Sequence, residues 1–240
     1  MNVTINSPIV QPVSIQKTGM SSLRKTSLAA GVLYMLTFVS IPTVALYGSI
    51  QQPGYIMGAA SDRPAIIGGI LEIIVALAGI STSVVLYPIL RKQHQTAALG
   101  LVAARILESG TIFVGVAFLL SIVTLHQTGA GANASVISSA LVVLYHRIFL
   151  LGQSFMPAIC DLLLGFMLYK SRLVPKGLAI IGIVGALPLI AGYLAMMFGV
   201  IERNSPMAGL SAVLVALFEF SLGIYLVVKG FKHSPITAGK

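Results

Sequence analysis

At 240 residues, of which 57% are hydrophobic and only 9% charged, and with a mean hydropathy of +0.97, the chain falls outside the ordinary soluble class and takes lipid as its solvent. Its formal charge of +9, from 15 Lys and Arg against 6 Asp and Glu, does not point to nucleic acid, because the basic residues sit at the ends of apolar runs without interleaved aromatics. Cys160 is the only cysteine, which excludes an intrachain disulfide.

Residues 1–22 are polar, contain proline and lack periodicity, as expected of a disordered tail. Arg24 and Lys25 before an apolar run imitate a signal peptide, but the preceding region is too long and no A-x-A site follows, so the segment reads as a first-helix anchor. Crossing about 30 Å of hydrocarbon takes about 20 apolar residues. Runs of that kind lie near 27–47, 65–90, 97–125, 148–169, 177–200 and 207–228, divided by QQPGY with DRP, RKQHQ, HQTGAGANAS, KSRLVPKG and ERNSP. The prediction is an all-α integral membrane protein, a bundle of six transmembrane helices forming a single membrane domain over 23–232, with a short tail at 233–240. Apolar character continues from Val136 through Tyr169, too far for one straight span at 1.5 Å per residue. A bend is therefore expected, with Gly152 and Pro157 as breakers and His146-Arg147 as a boundary. The preferred reading places an outer interfacial helix at 135–145 before the fourth span. The competing one is a single long tilted helix.

One set of loops and ends receives Lys17, Arg24, Lys25, Arg91, Lys92, Lys170, Arg172, Lys176, Lys229, Lys232 and Lys240, whereas the other receives only Arg63 and Arg203, each beside an acid. The positive-inside rule then puts both termini in the cytoplasm, as an even number of spans requires.

Asp62 and Glu202 fall in outer loops, but Glu72, Glu108, Asp161 and Glu219 fall inside spans, together with Arg105 and, nearer the outer edge, Arg147. A central charge costs about 2.5 to 3.5 kcal/mol on the insertion scale, and each Leu, Ile, Phe or Val returns about 0.3 to 0.6. The third span, with two such charges, needs partners to stay inserted. Arg105 and Glu108 share a helix face at i, i+3. Counted from the basic ends, Arg105, Glu108, Asp161 and Glu219 lie at similar depth. Two groupings follow: an intramembrane polar cluster of Arg105, Glu108, Asp161 and Glu219, and an outer pair of Glu72 and Arg147. Three acids around one Arg cannot all be ionised cheaply in low dielectric, so at least one carboxyl is expected to hold a proton near neutral pH. Either these charges serve a small solute or a proton, or they staple helices together; the sequence leaves both open. Spans two, three, four and six carry this chemistry, and one and five read as packing.

Asp161-Leu-Leu-Leu164-Gly165 echoes Glu219-Phe-Ser-Leu222-Gly223, a faint sign of parallel repeats. Gly182 and Ala186 allow close helix approach. Pro42, Pro88, Pro157 and Pro188 interrupt spans, where they kink helices or free carbonyls toward a cavity. Gly129-Ala-Gly131 follows a membrane helix rather than a strand and is no dinucleotide fingerprint, and no Walker A lysine follows any glycine loop. Cys160 has no histidine at its depth and reads as an apolar filler. His126 and His146 flank the outer loop without metal-ligand spacing. Asn133-Ala-Ser135 fits a glycosylation sequon, relevant only in a eukaryotic secretory setting. No catalytic, cofactor-binding or metal-binding motif emerges, and no cofactor is expected. The expected partners are the lipid bilayer and a small solute or proton; oligomeric state is not legible.

The blocks RKTSLAAGVLYMLTFVSIP, VVLYPILRKQ, ALGLVAARILE, FLLSIVTL, YKSRLVPKGLAIIGIVG, FGVIERNSP and FEFSLGIYLVVKGFK together resemble the bacterial membrane family named domain of unknown function 4386 (DUF4386), over about Arg24 to Lys232. The resemblance implies a multi-pass protein of the bacterial inner membrane and supplies no site residues. Transport of a small solute or proton through the Arg105 cluster is the leading expectation. The alternative is a non-catalytic membrane partner or regulatory subunit with structural ion pairs.

Overall fold

A computed structural model describes residues 20–237. The expected tail therefore lies outside the described residues up to residue 19, as do residues 238–240. The described chain is all-helical, with six helical segments long and apolar enough to cross a membrane. Their outward faces stay apolar: Ile70, Leu99, Leu107, Leu187 and Leu217 are all exposed, the arrangement of a bundle surrounded by lipid.

The first span is broken. Helix α1, Ser22–Thr37, starts at Ser21, whose hydroxyl accepts the Arg24 amide. It gives way to a 3-10 turn at Phe38–Ser40 and resumes as the short α2, Thr43–Leu46. Pro42 has no amide to donate, and the carbonyls around the break are taken up by hydroxyls. Thr37 donates to the Tyr34 carbonyl at 2.7 Å, Ser40 to Thr37 at 3.2 Å and Thr43 to Ser40 at 2.7 Å. Two long helices follow, α3 at Arg63–Leu90 and α4 at Gln95–Gln127, the latter capped by the His94 ring.

The fourth span differs from its expected form. No break falls at His146-Arg147: α5, Gly131–Phe149, passes into a π turn at Leu150–Phe155 and on into α6, Met156–Ser171. The apolar stretch is thus one helical run with a widened turn, in place of a separate helix at 135–145. The sequence explains the turn's location. Pro157 cannot donate to the carbonyl four residues back, and a π turn re-registers the bonds around that gap. Gly152 makes it fit, since a Cβ there would collide with the Thr111 side chain of α4.

Helices α7, Lys176–Met197, and α8, Pro206–Val228, complete the bundle. In contact order, α1 touches α3 and α8, α3 touches α4, α4 touches α5 and α6, α6 touches α7, and α7 touches α8. The helices form a closed ring. Gly182 and Ala186 do permit close approach: a Cβ on Gly182 would sit 2.7 Å from the Phe218 ring of α8. At the basic end, the Arg24 guanidinium donates to the Leu226 and Val227 carbonyls at 3.0 and 2.5 Å, closing the end of α8. The segment beyond α8 folds back, with the Lys232 amide donating to the Leu173 carbonyl at 2.7 Å and Ser234 to Ser171.

Candidate functional site: an intramembrane charge cluster and its cavity

Helical spacing puts Arg105 and Glu108 on the inner face of α4, where both are buried. One guanidinium nitrogen, Nη1, donates to Glu108 Oε2 at 3.0 Å and Oε1 at 3.3 Å. The other, Nη2, donates to Glu219 Oε1 of α8 at 2.6 Å and stands 3.9 Å from Asp161 Oδ1 of α6. The four residues grouped by depth and spacing are thus brought together around one cation. Arg105 therefore ties three helices, and burial makes each of its charge-assisted bonds stronger than at a surface.

The cluster is unbalanced. Three carboxyls surround one guanidinium, and both oxygens of Asp161, itself fully buried, lack a hydrogen-bond partner, as does Arg105 Nε. Glu219 commits only Oε1 to Arg105. Two further neighbours were not assigned to the cluster from sequence. Tyr34 of α1 presents its ring 5.8 Å from the Arg105 guanidinium, and the Cys160 thiol points to Glu108 Oε2 at 3.5 Å. Cys160 is therefore more than an apolar filler, since its thiol donates into the cluster. Ser109 anchors the layer to α3 by donating to the Ala76 carbonyl at 2.8 Å.

A cavity of about 230 Å³ reaches this cluster. Arg105, Glu108 and Glu219 line its polar end; Ile112, Leu189 and Val215 line its apolar walls. It also meets the break in the first span, at Phe38 and Ile41, and comes to the flank of the bundle between Ile41 and Ala216, both exposed. Spans one and five were expected only to pack, but Phe38 and Leu189 place them on the cavity wall. The signal for span one was present: Thr37, Ser40 and Thr43 at three-residue spacing around Pro42 mark a helix whose freed carbonyls are satisfied by hydroxyls.

The outer pair is not formed. Glu72 is buried inside α3, whereas Arg147 lies exposed on α5 and makes no salt bridge to it. The reason is helical: Tyr145 points inward, and a residue two positions on points away. Glu72 instead accepts from Gln153 Nε2 at 3.3 Å and faces the hydroxyls of Tyr47 and Tyr145, whose rings meet edge to face at 5.7 Å. Arg203 supplies the nearby cation. Although it adjoins Glu202 in sequence, it turns inward, with its guanidinium 4.4 Å from the Phe149 centroid and 5.5 Å from that of Tyr145. Gln153 also lines the cavity, so the π turn connects the two polar layers.

At the end of the bundle away from the basic residues, Asp62 gathers the Tyr55 hydroxyl, His126 Nδ1 at 2.7 Å and Gln127 Nε2 at 3.0 Å. Burial pushes its carboxyl up, but the hydrogen bonds from Tyr55, Gln127 and His126 outweigh that and hold it below the usual carboxylate range. His146 meets Gln51 Oε1 at 3.0 Å, so the two histidines serve separate contacts. Among the described residues, no three His, Cys, Asp or Glu side chains gather as a metal set.

Residues 29–230 match the family described as Domain of unknown function (DUF4386), and the chain belongs to it. No curated protein and no solved structure matches the chain.

Proposed function

We propose that this multi-pass membrane protein of the DUF4386 family carries a small solute across the bilayer in exchange for protons held by the Arg105 cluster. The observation that carries this reading is a cavity reaching a largely buried set of one cation and three carboxyls. In a low-dielectric site the surplus negative charge must be neutralised, and with no solute present protons are the available neutralising species. A solute entering the cavity changes that balance, which couples its binding to proton release. The discontinuous first span at the cavity wall supports the reading, because broken helices inside a bundle occur where backbone lines a site. On the same reading, the basic end faces the cytoplasm with both termini, in a bacterial inner membrane.

A membrane partner or regulatory subunit, in which Arg105 only joins α4 to α8 and α6, is supported by the closeness of the 2.6 Å Arg105 to Glu219 contact. It gives no role to the cavity. Purified protein in proteoliposomes loaded with a pH-sensitive dye separates the two. Solute-dependent proton flux that disappears in Asp161→Asn and Glu219→Gln, with both variants still folded, is the expected result. Variants that unfold, with no flux from the native chain across a broad solute panel, would favour the stapling role.

A further inference from the structure

We infer that the cavity binds a small lipophilic organic cation, an ammonium with apolar substituents, admitted sideways from the bilayer. This rests on the transport reading above and names the substrate class of the same site. Charge decides the sign. Arg105 neutralises one carboxylate equivalent, its two terminal nitrogens are already shared between Glu108 and Glu219, and Asp161 is fully buried without a hydrogen-bond donor. An anionic ligand would require the cluster to hold still more protons, and a neutral one would release none; a cation takes the place of the protons, as exchange requires.

The walls decide the rest of the ligand. Away from Arg105, Glu108 and Glu219, the lining combines the hydroxyls of Thr37, Ser40 and Ser109 and the Gln153 amide with aliphatic side chains and the Phe38 ring. An alkyl- or benzyl-substituted ammonium is weakly hydrated and matches the aliphatic part of the wall, whereas a strongly hydrated ion such as Na⁺ would gain nothing from it. Phe38 is itself braced edge to face by Phe220 at 5.2 Å, and an aromatic face near the entrance suits a quaternary ammonium. The volume of about 230 Å³ lies below the roughly 300 to 1,000 Å³ of drug-sized pockets, which selects small cations.

Access follows from position. The cavity reaches the bundle flank between Ile41 and Ala216, both exposed residues of apolar type on faces that otherwise carry exposed Val44, Val213 and Leu217. A lipophilic cation partitions into that part of the membrane, and a hydrophilic one does not.

The test is calorimetric titration of the purified full chain in detergent with benzyltrimethylammonium, in parallel with benzenesulfonate as an anion of similar ring size. Expected is saturable cation binding with proton release, weakened at least about tenfold in Glu219→Gln, and no binding of the sulfonate. Gly79→Val keeps every charge but narrows the cavity, since Gly79 lines it and a Cβ there meets only Ser109 Oγ at 3.8 Å. It is expected to weaken the cation as well, and it keeps the test open should the Glu219 variant not fold. Equal or tighter sulfonate binding, absence of cation binding, or cation binding unchanged in both variants would overturn the inference. If solute-dependent proton flux persists while the ammonium does not bind, the substrate class is wrong and the transport reading stands.

Discussion

The polar layer nearer the basic end of the bundle (the inner layer) sets one guanidinium against three carboxyls carried by three helices, whereas the layer farther from that end (the outer layer) sets one carboxyl among two tyrosines, a glutamine and an arginine drawn in from a loop. The inner layer is short of positive charge and opens onto a cavity. The outer layer is rich in donors, meets that cavity only at Gln153, and borders a second cavity of about 370 Å³ at Arg203. Glu72 is almost completely buried, and its neighbours come from the first span, α5, the π turn and the segment before α8. Surplus charge lining a cavity suits exchange of protons and solute; a single carboxyl buried among donors, though its second oxygen lacks a partner, suits holding the ends of four segments together. Gln153 belongs to both layers, which places the π turn where a change at one layer would be felt at the other.

The largest effect separating the layers should come from Arg105→Met. It leaves three carboxyls around an apolar side chain, and removing one partner of a buried ion set costs about 3 to 5 kcal/mol. Chemical unfolding in mixed micelles is expected to show that loss near neutral pH and to recover part of it when the medium is acidified, because protonated carboxyls no longer repel. A loss independent of pH would mean that the cluster is neutral already and that the two layers differ less in charge.

Next in size is Gly152→Ala. Its methyl lands on the Thr111 side chain, and overpacking of this kind costs about 1 to 3 kcal/mol. Thr111→Ala in the same chain is expected to recover a measurable part of it. If Gly152→Ala is as stable as the native protein, the π turn does not press on α4 and the link between the layers is looser than described.

The smallest pair tests the outer layer alone. Arg203→Ala gives up a guanidinium stacked on two rings and should destabilise by about 0.5 to 2 kcal/mol. Arg147→Ala, on an exposed position, should change stability by no more than about 0.5 kcal/mol. Thermal unfolding in detergent distinguishes them, and the reverse order would restore the Glu72 and Arg147 pairing that the structure lacks.

The same contrast explains what could be seen in the sequence. Arg105, Glu108, Asp161 and Glu219 all ride on long regular helices, where 1.5 Å per residue fixes depth and i, i+3 spacing fixes face, so their grouping follows from counting. The six spans follow from apolar length in the same way. The outer layer could not be counted, because Arg203 reaches Tyr145 and Phe149 through the path of a loop and Tyr47 arrives through a break in a helix. Depth alone assigned Glu72 to Arg147; which face Arg147 occupies required the register of α5 relative to Tyr145. The continuous helix through residue 150 is one of two readings the sequence allows, and the choice between them stays hidden for a related reason. Gly152 and Pro157 announce a disturbance, but whether it ends a helix or widens one turn depends on the Thr111 surface against which it packs.

Infrared spectroscopy of the carboxylic acid carbonyl stretch, recorded with purified protein across pH and after exchange into deuterated water, bears most directly on the central claim that the inner cluster holds exchangeable protons. The account predicts a protonated carboxyl band near neutral pH that is diminished in Asp161→Asn or Glu219→Gln, shifts rapidly on deuteration and titrates with pH. A band that is absent, or that survives deuteration and pH change untouched, would contradict it and leave the cluster as a dry fastening between helices.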